Sequence, residues 1–247
     1  MGPKIRQLID APLDGLTNMG RDAALLAGVD RGTSPPTLRW YQWSPATISL
    51  GYFQRYDDYL ALTPPSGALP VVRRVTGGGA ILHDAELTYA LALPSTHALA
   101  AGNPACLYRT MHAAIIAGLR TLGVRADQRG PCGSSRTRRE GPFFCFSRAH
   151  PTDVVLEGDK LVGSAQRRTR RAVLQHGSIM LQRRYAQQRC AIVGSSVDAN
   201  AVIAAVVSDL TGYMDLAIET GAWTEVELRD AATQRTRFAD PTFTRRR

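Results

Sequence analysis

Val71-Val72-Arg73-Arg74-Val75-Thr76-Gly77-Gly78-Gly79-Ala80-Ile81-Leu82-His83-Asp84 is the stretch on which the reading of this chain turns. Two valines and a pair of arginines lead into three adjacent glycines, and apolar residues resume at Ala80-Ile81-Leu82. Glycines in a row leave one backbone surface without Cβ atoms and permit positive φ where a turn needs it. A ligand can then lie against the backbone, with N–H groups offered to an oxyanion. The arginines would add fixed positive charge suited to carboxylate or phosphate. The competing reading is a tight strand-to-strand turn with two solvated arginines. The spacing matches neither G-x-x-x-x-G-K-[ST] nor a G-x-G-x-x-G that opens a helix, so neither nucleotide-binding loop is expected.

Outward from that turn, residues 71–74 and 87–93 read as strands. Upstream, residues 38–43 and 47–53 read as two strands separated by Ser44-Pro45, a hairpin, with Trp40 and Trp43 in the core. Residues 17–29 read as a helix capped by Thr17 or Asn18, and residues 56–61 as a helical turn. Downstream, Asn103-Pro104 opens a helix that runs to about Leu122, closed by Gly123. Residues 129–142 are rich in Gly, Pro, Ser and Arg and read as an exposed, mobile loop. Residues 152–157 and 160–166 form strands joined at Gly158-Asp159, with a further strand over 172–181. Residues 198–213 and 224–238 read as helices, the second opened by a Thr224/Glu227 capping box. With no repeat and no linker, a single α+β domain over residues 1–247 is the expectation.

The chain has 247 residues, 44% hydrophobic and 21% charged, which is ordinary for a soluble globular protein. The absence of a run of about 18 apolar residues argues against a membrane span. The first residues lack an apolar signal core. Four cysteines, Cys106, Cys132, Cys145 and Cys190, show no C-x-x-C pairing. They are expected to be reduced, in the cytoplasm, with no metal site. The net charge is +9, and arginines gather at 136–139, 167–171 and 245–247. No helix-turn-helix cue, zinc-finger spacing or aromatic interleaving accompanies them, so an acidic protein partner is favoured over nucleic acid.

Three further constellations carry chemistry. In Gly158-Asp159-Lys160-Leu161-Val162-Gly163-Ser164-Ala165-Gln166 a lysine starts a strand whose next surface, Gly163, Ser164 and Ala165, is nearly bare. In Gln175-His176-Gly177-Ser178 a histidine sits at a strand bend, read as a packing residue. In Pro142-Phe143-Phe144-Cys145-Phe146 the cysteine has two readings. It is a core residue among phenylalanines, or a thiolate favoured by nearby positive charge, with the phenylalanines lining a slot for an acyl chain.

Taken together, residues 73–84, 158–166 and Leu174-Gln175-His176-Gly177-Ser178 resemble the lipoate-protein ligase A and octanoyltransferase superfamily. Arg39-Trp40-Tyr41-Gln42-Trp43, Ser49-Leu50-Gly51-Tyr52 and Gln54 resemble its opening strands. The resemblance covers about Asn18 to Leu181. It implies the biotin/lipoyl-ligase catalytic fold, a mixed β-sheet with flanking helices related to class II synthetases. Ligases of the superfamily activate lipoate with ATP and magnesium through lipoyl-AMP, and they typically carry a small accessory domain; the expectation here is that none follows Asp240. Octanoyltransferases take an octanoyl group from acyl carrier protein onto a cysteine. Cys145-Phe146, followed fifteen residues later by Lys160, resembles the cysteine form of the transferase.

That resemblance implies Cys145 as nucleophile and Lys160 as its activator, with no cofactor. It implies an acyl- or lipoyl-binding surface from Arg74, Thr76, Gly77, Gly78, Gly79, Ala80, His83, Gly163, Ser164, Ala165 and His176. In this reading Arg74 steadies an oxyanion, while His83 and His176 hold the loops. The implied partners are octanoyl-acyl carrier protein and, as acceptor, the glycine-cleavage H protein or lipoyl domains of 2-oxoacid dehydrogenases, with no nucleic acid and no membrane.

Overall fold

Glu86–Pro94 shows how the layers arise. Along this strand Leu87, Tyr89, Leu91 and Leu93 pack into one core, and Ala90 and Ala92 into another on the opposite face. Side chains alternate at period two, so a strand buried from Glu86 to Leu93 must be covered on both sides. The computed structural model describes residues 3–131, 141–214 and 216–246.

The strands in chain order are β1 (Lys4–Ile9), β2 (Thr37–Tyr41), β3 (Thr47–Leu50), β4 (Val71–Arg73), β5 (Ile81–His83), β6 (Glu86–Pro94), β7 (Asp127–Gln128), β8 (Val154–Leu156), β9 (Asp159–Arg168), β10 (Ala172–Met180) and β11 (Ala217–Thr220). An eight-stranded mixed sheet runs β11-β1-β2-β6-β10-β9-β8-β7, and β4-β3-β5 form a small second sheet. The helices are α1 (Gly15–Arg31), α2 (Tyr56–Leu60), α3 (Pro104–Thr121), α4 (Ala199–Met214), α5 (Glu225–Ala239) and α6 (Pro241–Thr244). On one face of the large sheet α3 and α4 bury Leu107, Met111, Ile115, Val202 and Val206. On the other, α1 and α5 bury Ala23, Leu25, Leu26 and Phe238. Each fully buried Leu or Ile side chain contributes about 1.5–3 kcal/mol of transfer free energy.

The sequence expectations meet this architecture with several corrections. Residues 38–43 and 47–53 are not a hairpin: β2 lies in the large sheet beside β6, and β3 lies between β4 and β5 in the small one. The chain leaves one sheet at Ser44-Pro45 and joins the other, so an apparent turn signal marks a change of layer. The cap of α1 is Asp14, which accepts from the Thr17 amide at 3.0 Å, rather than Thr17 or Asn18. Trp40 and Trp43 are both buried core, and Trp43 also forms part of a pocket wall. The strands β1 and β11 were not expected; they pair in parallel from opposite ends of the chain. The Asn103 cap, the β8–β9 turn with positive φ at Glu157 and Gly158, and the Thr224/Glu227 capping box all stand as expected. The loop expected over residues 129–142 lies mostly outside the described residues, as do Cys132 and the arginine cluster 136–139. No helix among the described residues is long and apolar enough to cross a membrane.

Beneath the sheet face shared with α1, Arg39 is fully buried yet carries its charge into a carboxylate pair. Its Nε donates to Asp10 and its Nη1 to Asp22, each at 2.7 Å. Opposite charge and hydrogen bonds make such burial tolerable. They also fix Asp22 where it can hold a further group.

Candidate active site

The glycine turn folds back over the large sheet and leaves a pocket between them, with about 420 Å³ of empty space including its opening. Ser49, Arg74, Gly77, Gly78, Ile81 and His83 line it from the small sheet and turn. Thr88, Gly163, Ser164, Ala165, His176, Gly177 and Ser178 line it from β6, β9 and β10. Met19, Tyr41, Trp43 and Cys145 complete the wall. The bare surfaces of both sequence motifs therefore face one another.

Cys145 is half-buried at this pocket, in a short 3₁₀ turn over Cys145–Ser147. Its backbone is gripped by the glycine motif: Cys145 N donates to Ala80 O at 2.7 Å and Ala80 N to Phe143 O at 2.9 Å. A Cβ on Gly79 would lie only 2.9 Å from Cys145 N, so no larger residue permits this approach. Gly79 and Ala80, expected to bind ligand, instead seat the cysteine and do not line the pocket. The phenylalanine slot is also corrected. Phe144 and Phe146 are buried in two separate cores, and the pocket's apolar wall is Met19, Tyr41, Trp43 and Ile81.

Lys160 is 4% exposed, with Nζ 3.7 Å from Cys145 Sγ and 2.8 Å from Asp153 Oδ1. Burial works against its charge, yet the Cys145 sulfur and the Asp153 carboxylate together raise its pKa above the usual lysine value. Its stem crosses the vacant face of Gly163, where a Cβ would meet Cε at 2.5 Å. Asp153 escaped the sequence reading because nothing local marks a carboxylate ahead of a strand as a lysine's partner. Replacing Lys160 with Met keeps the stem and removes the charge. Iodoacetamide modification of Cys145 near neutral pH is then expected to slow about tenfold, read by peptide mass. Cys190, whose thiol burial pushes up to about 11, serves as the unreactive internal reference.

Arg74 differs most from expectation. It is 2% exposed and all five N–H donors are engaged within the protein. Nε donates to Thr76 Oγ1, Nη1 to Ser49 O and Oγ, and Nη2 to Gly77 O and Gly79 O, at 2.7–3.1 Å. Burial pushes its pKa down to about 10. Arg74 thus shapes the turn, and no donor remains for an oxyanion. The amide N–H groups of Gly77, Gly78 and Gly79 meet no acceptor among the described residues. Arg73 points away, fully buried, into carbonyls of Gly51, Gln54 and Thr244.

Two carboxylate–histidine–hydroxyl chains converge on Arg74. In one, His176 joins Asp22 Oδ2 at 3.0 Å to Thr76 Oγ1 at 2.7 Å. In the other, His83 joins Glu86 Oε1 at 2.6 Å to Ser49 Oγ at 2.7 Å, its ring stacked on Trp43 with centroids 3.7 Å apart. His176 thus bonds the turn at Thr76, and His83 bonds Ser49 of β3 beside it. Thr76 is sealed beneath it, outside the pocket. A third network fixes the wall opposite: Gln175 Nε2 donates to Tyr89 Oη, which meets Ser164 Oγ, and Ser164 Oγ meets His112 Nε2, each within 2.8 Å. Burial brings His112 down to about 4, so it is neutral there.

The mixed sheet and the glycine turn that roofs its pocket set this chain with the lipoyl protein ligase catalytic domains. The family model described as lipoyl protein ligase A/B catalytic domain matches residues 14–216, and the chain belongs to that family. It is similar to proteins named octanoyltransferase LipM. That of Kyrpidia tusciae is 43% identical over 169 residues, covering 66% of this chain and 61% of the relative. That of Macrococcus caseolyticus is 38% identical over 167 residues, covering 66% and 60%. The chain thus spans about three fifths of the length of the curated relatives it matches. Among solved structures, Ta0514, a lipoate protein ligase homologue from T. acidophilum, superposes with TM-score 0.79 at 21% identity over 99% of both chains. A lipoate-protein ligase A bound with ATP gives TM-score 0.77 at 20% identity over 98% of both. At that identity the likeness establishes the biotin/lipoyl-ligase-like fold.

Proposed function

We propose that this protein is an octanoyltransferase of lipoate biosynthesis, moving an octanoyl group from acyl carrier protein through acyl-Cys145 to a lysine of a lipoyl-accepting protein. The glycine-cleavage H protein and the lipoyl domains of 2-oxoacid dehydrogenases are the proposed acceptors. The observation that carries this reading is the Lys160 ammonium 3.7 Å from the Cys145 sulfur at the rim of an apolar pocket. An adjacent fixed cation stabilises a thiolate, the nucleophilic form. The names of the relatives that match most of this region support it.

The thiolate attacks the donor thioester carbonyl, the donor C–S bond breaks, and the carrier's sulfur departs as a thiolate that takes its proton from solvent, leaving Lys160 an ammonium paired to Asp153. Thioester exchange is nearly isoenergetic and amide formation is downhill, so the sequence needs neither ATP nor metal. In this reading the amide N–H groups of Gly77 and Gly78, which line the pocket and meet no acceptor among the described residues, receive the tetrahedral oxyanion. Burying the acyl chain against Met19, Tyr41, Trp43 and Ile81 contributes about 0.8 kcal/mol per methylene. The positive net charge of +9 suits an acidic carrier protein.

Intact-mass measurement after mixing with octanoyl-acyl carrier protein, without nucleotide, tests the proposal. One octanoyl group on the Cys145 peptide is the expected outcome. No acylation, together with lipoate-dependent ATP–pyrophosphate exchange, would replace it with the ligase reading through lipoyl-AMP.

A further inference from the structure

The two chains that meet at Arg74 are alike in bonding but not in position. Thr76 and Ser49 are equally buried, but only Ser49 is part of the wall of the pocket that Cys145 lines. A serine hydroxyl has one proton and two lone pairs. The Glu86 carboxylate takes the His83 Nδ1 proton, so Nε2 of the neutral ring accepts the Ser49 proton at 2.7 Å. Burial lowers the His83 pKa against the pull of Glu86, with Arg74 and His176 also disfavouring its charged form, which keeps the ring neutral. Arg74 Nη1 occupies one Ser49 lone pair at 3.1 Å. One lone pair remains, on a hydroxyl already coupled to a base. Behind the ring, Glu86 Oε2 is buried with no partner among the described residues, leaving negative charge in reserve beside an imidazole that gains a proton.

The acyl-Cys145 reading, on which this inference rests, leaves one proton unassigned. When an amine attacks the thioester, the C–N bond forms, the C–S bond breaks and the Cys145 thiolate is regenerated beside Lys160. The amine nitrogen must shed a proton, and Lys160 is already an ammonium. We propose that Glu86–His83–Ser49 is the proton acceptor of this step: Ser49 Oγ takes the proton from the attacking nitrogen while its own proton passes to His83 Nε2. The imidazolium then sits between Glu86 and Ser49 until it returns its proton to solvent as product leaves. General-base assistance of this kind is typically worth about 10²–10⁴-fold.

Separating the two half-reactions tests the assignment. Wild-type protein and Ser49→Ala are acylated with octanoyl-acyl carrier protein, followed by intact mass, and then given a glycine-cleavage H protein. Ser49→Ala is expected to acylate within about threefold of wild type and to transfer to the H protein about 10²-fold more slowly. Glu86→Gln, which preserves volume and one hydrogen bond, is expected to show the same split, and it serves if the alanine variant does not fold. A bracing role for Ser49, exerted through Arg74, predicts equal slowing of both steps, and that result overturns the proposal. Transfer at the wild-type rate overturns it as well. Failure of the wild type to form acyl-Cys145 removes the transferase reading, and this inference with it.

Discussion

Replacing Cys145 with alanine is expected to abolish octanoyl transfer, lowering turnover at least about 10³-fold while leaving the melting temperature nearly unchanged. The asymmetry follows from how the residue is held. Its position depends on backbone bonds to Ala80 and on the bare face of Gly79, none of which involves sulfur. The side chain is half-buried and fills no tight cavity, so its loss removes little packing. The chemistry, by contrast, has no substitute: the Lys160 ammonium is paired to Asp153 and faces the position the sulfur occupied. Serine at this site keeps an oxygen of roughly similar size, but its hydroxyl is far harder to ionise, so Cys145→Ser is expected to be equally inactive. Steady-state transfer to an acceptor protein, paired with a thermal melt, checks both halves. Normal turnover in either variant takes Cys145 out of the mechanism.

Arg74→Lys is expected to be the most destabilising single-charge-conserving change in the pocket, at roughly 3–5 kcal/mol. Lysine keeps the positive charge but offers a point ammonium with three donors in place of a planar fork with five. The Gly77 and Gly79 carbonyls and both hydroxyls, Ser49 and Thr76, cannot all be reached from one nitrogen. Buried acceptors left unmade account for most of the loss. A fall of about 10 °C in melting temperature is the expected readout for a chain of this size. Residual folded protein is expected to acylate slowly, because the turn amides lose their alignment. A melt within a degree or two of wild type would show that the fork is dispensable.

The parts of this molecule legible in its sequence are those written locally. The Asn103-Pro104 cap and the Thr224/Glu227 box each carry their signal within a few residues, and each appears as read. The pairing of Lys160 with Cys145, fifteen residues apart, came through a family resemblance rather than from spacing. What stayed hidden is made by segments that meet only after folding: Asp22 and His176 are 154 residues apart and Ser49 and His83 are 34 apart. Arg74 was assigned to ligand for the same reason. A sequence shows a cation beside glycines but not that those glycines' own carbonyls consume it. The phenylalanines around Cys145 misled because hydrophobicity identifies burial without saying in which core.

The direction Arg73 takes has a practical consequence. Its guanidinium bonds the main-chain oxygens of Thr244 and Arg246 at 2.8–3.1 Å, so the strand that leads into the glycine turn is tied to a segment more than 170 residues further along the chain. A change of backbone conformation at residues 244–246 would therefore be felt at the glycine turn. Thr244→Pro would then lower amide-exchange protection along β3 and β4.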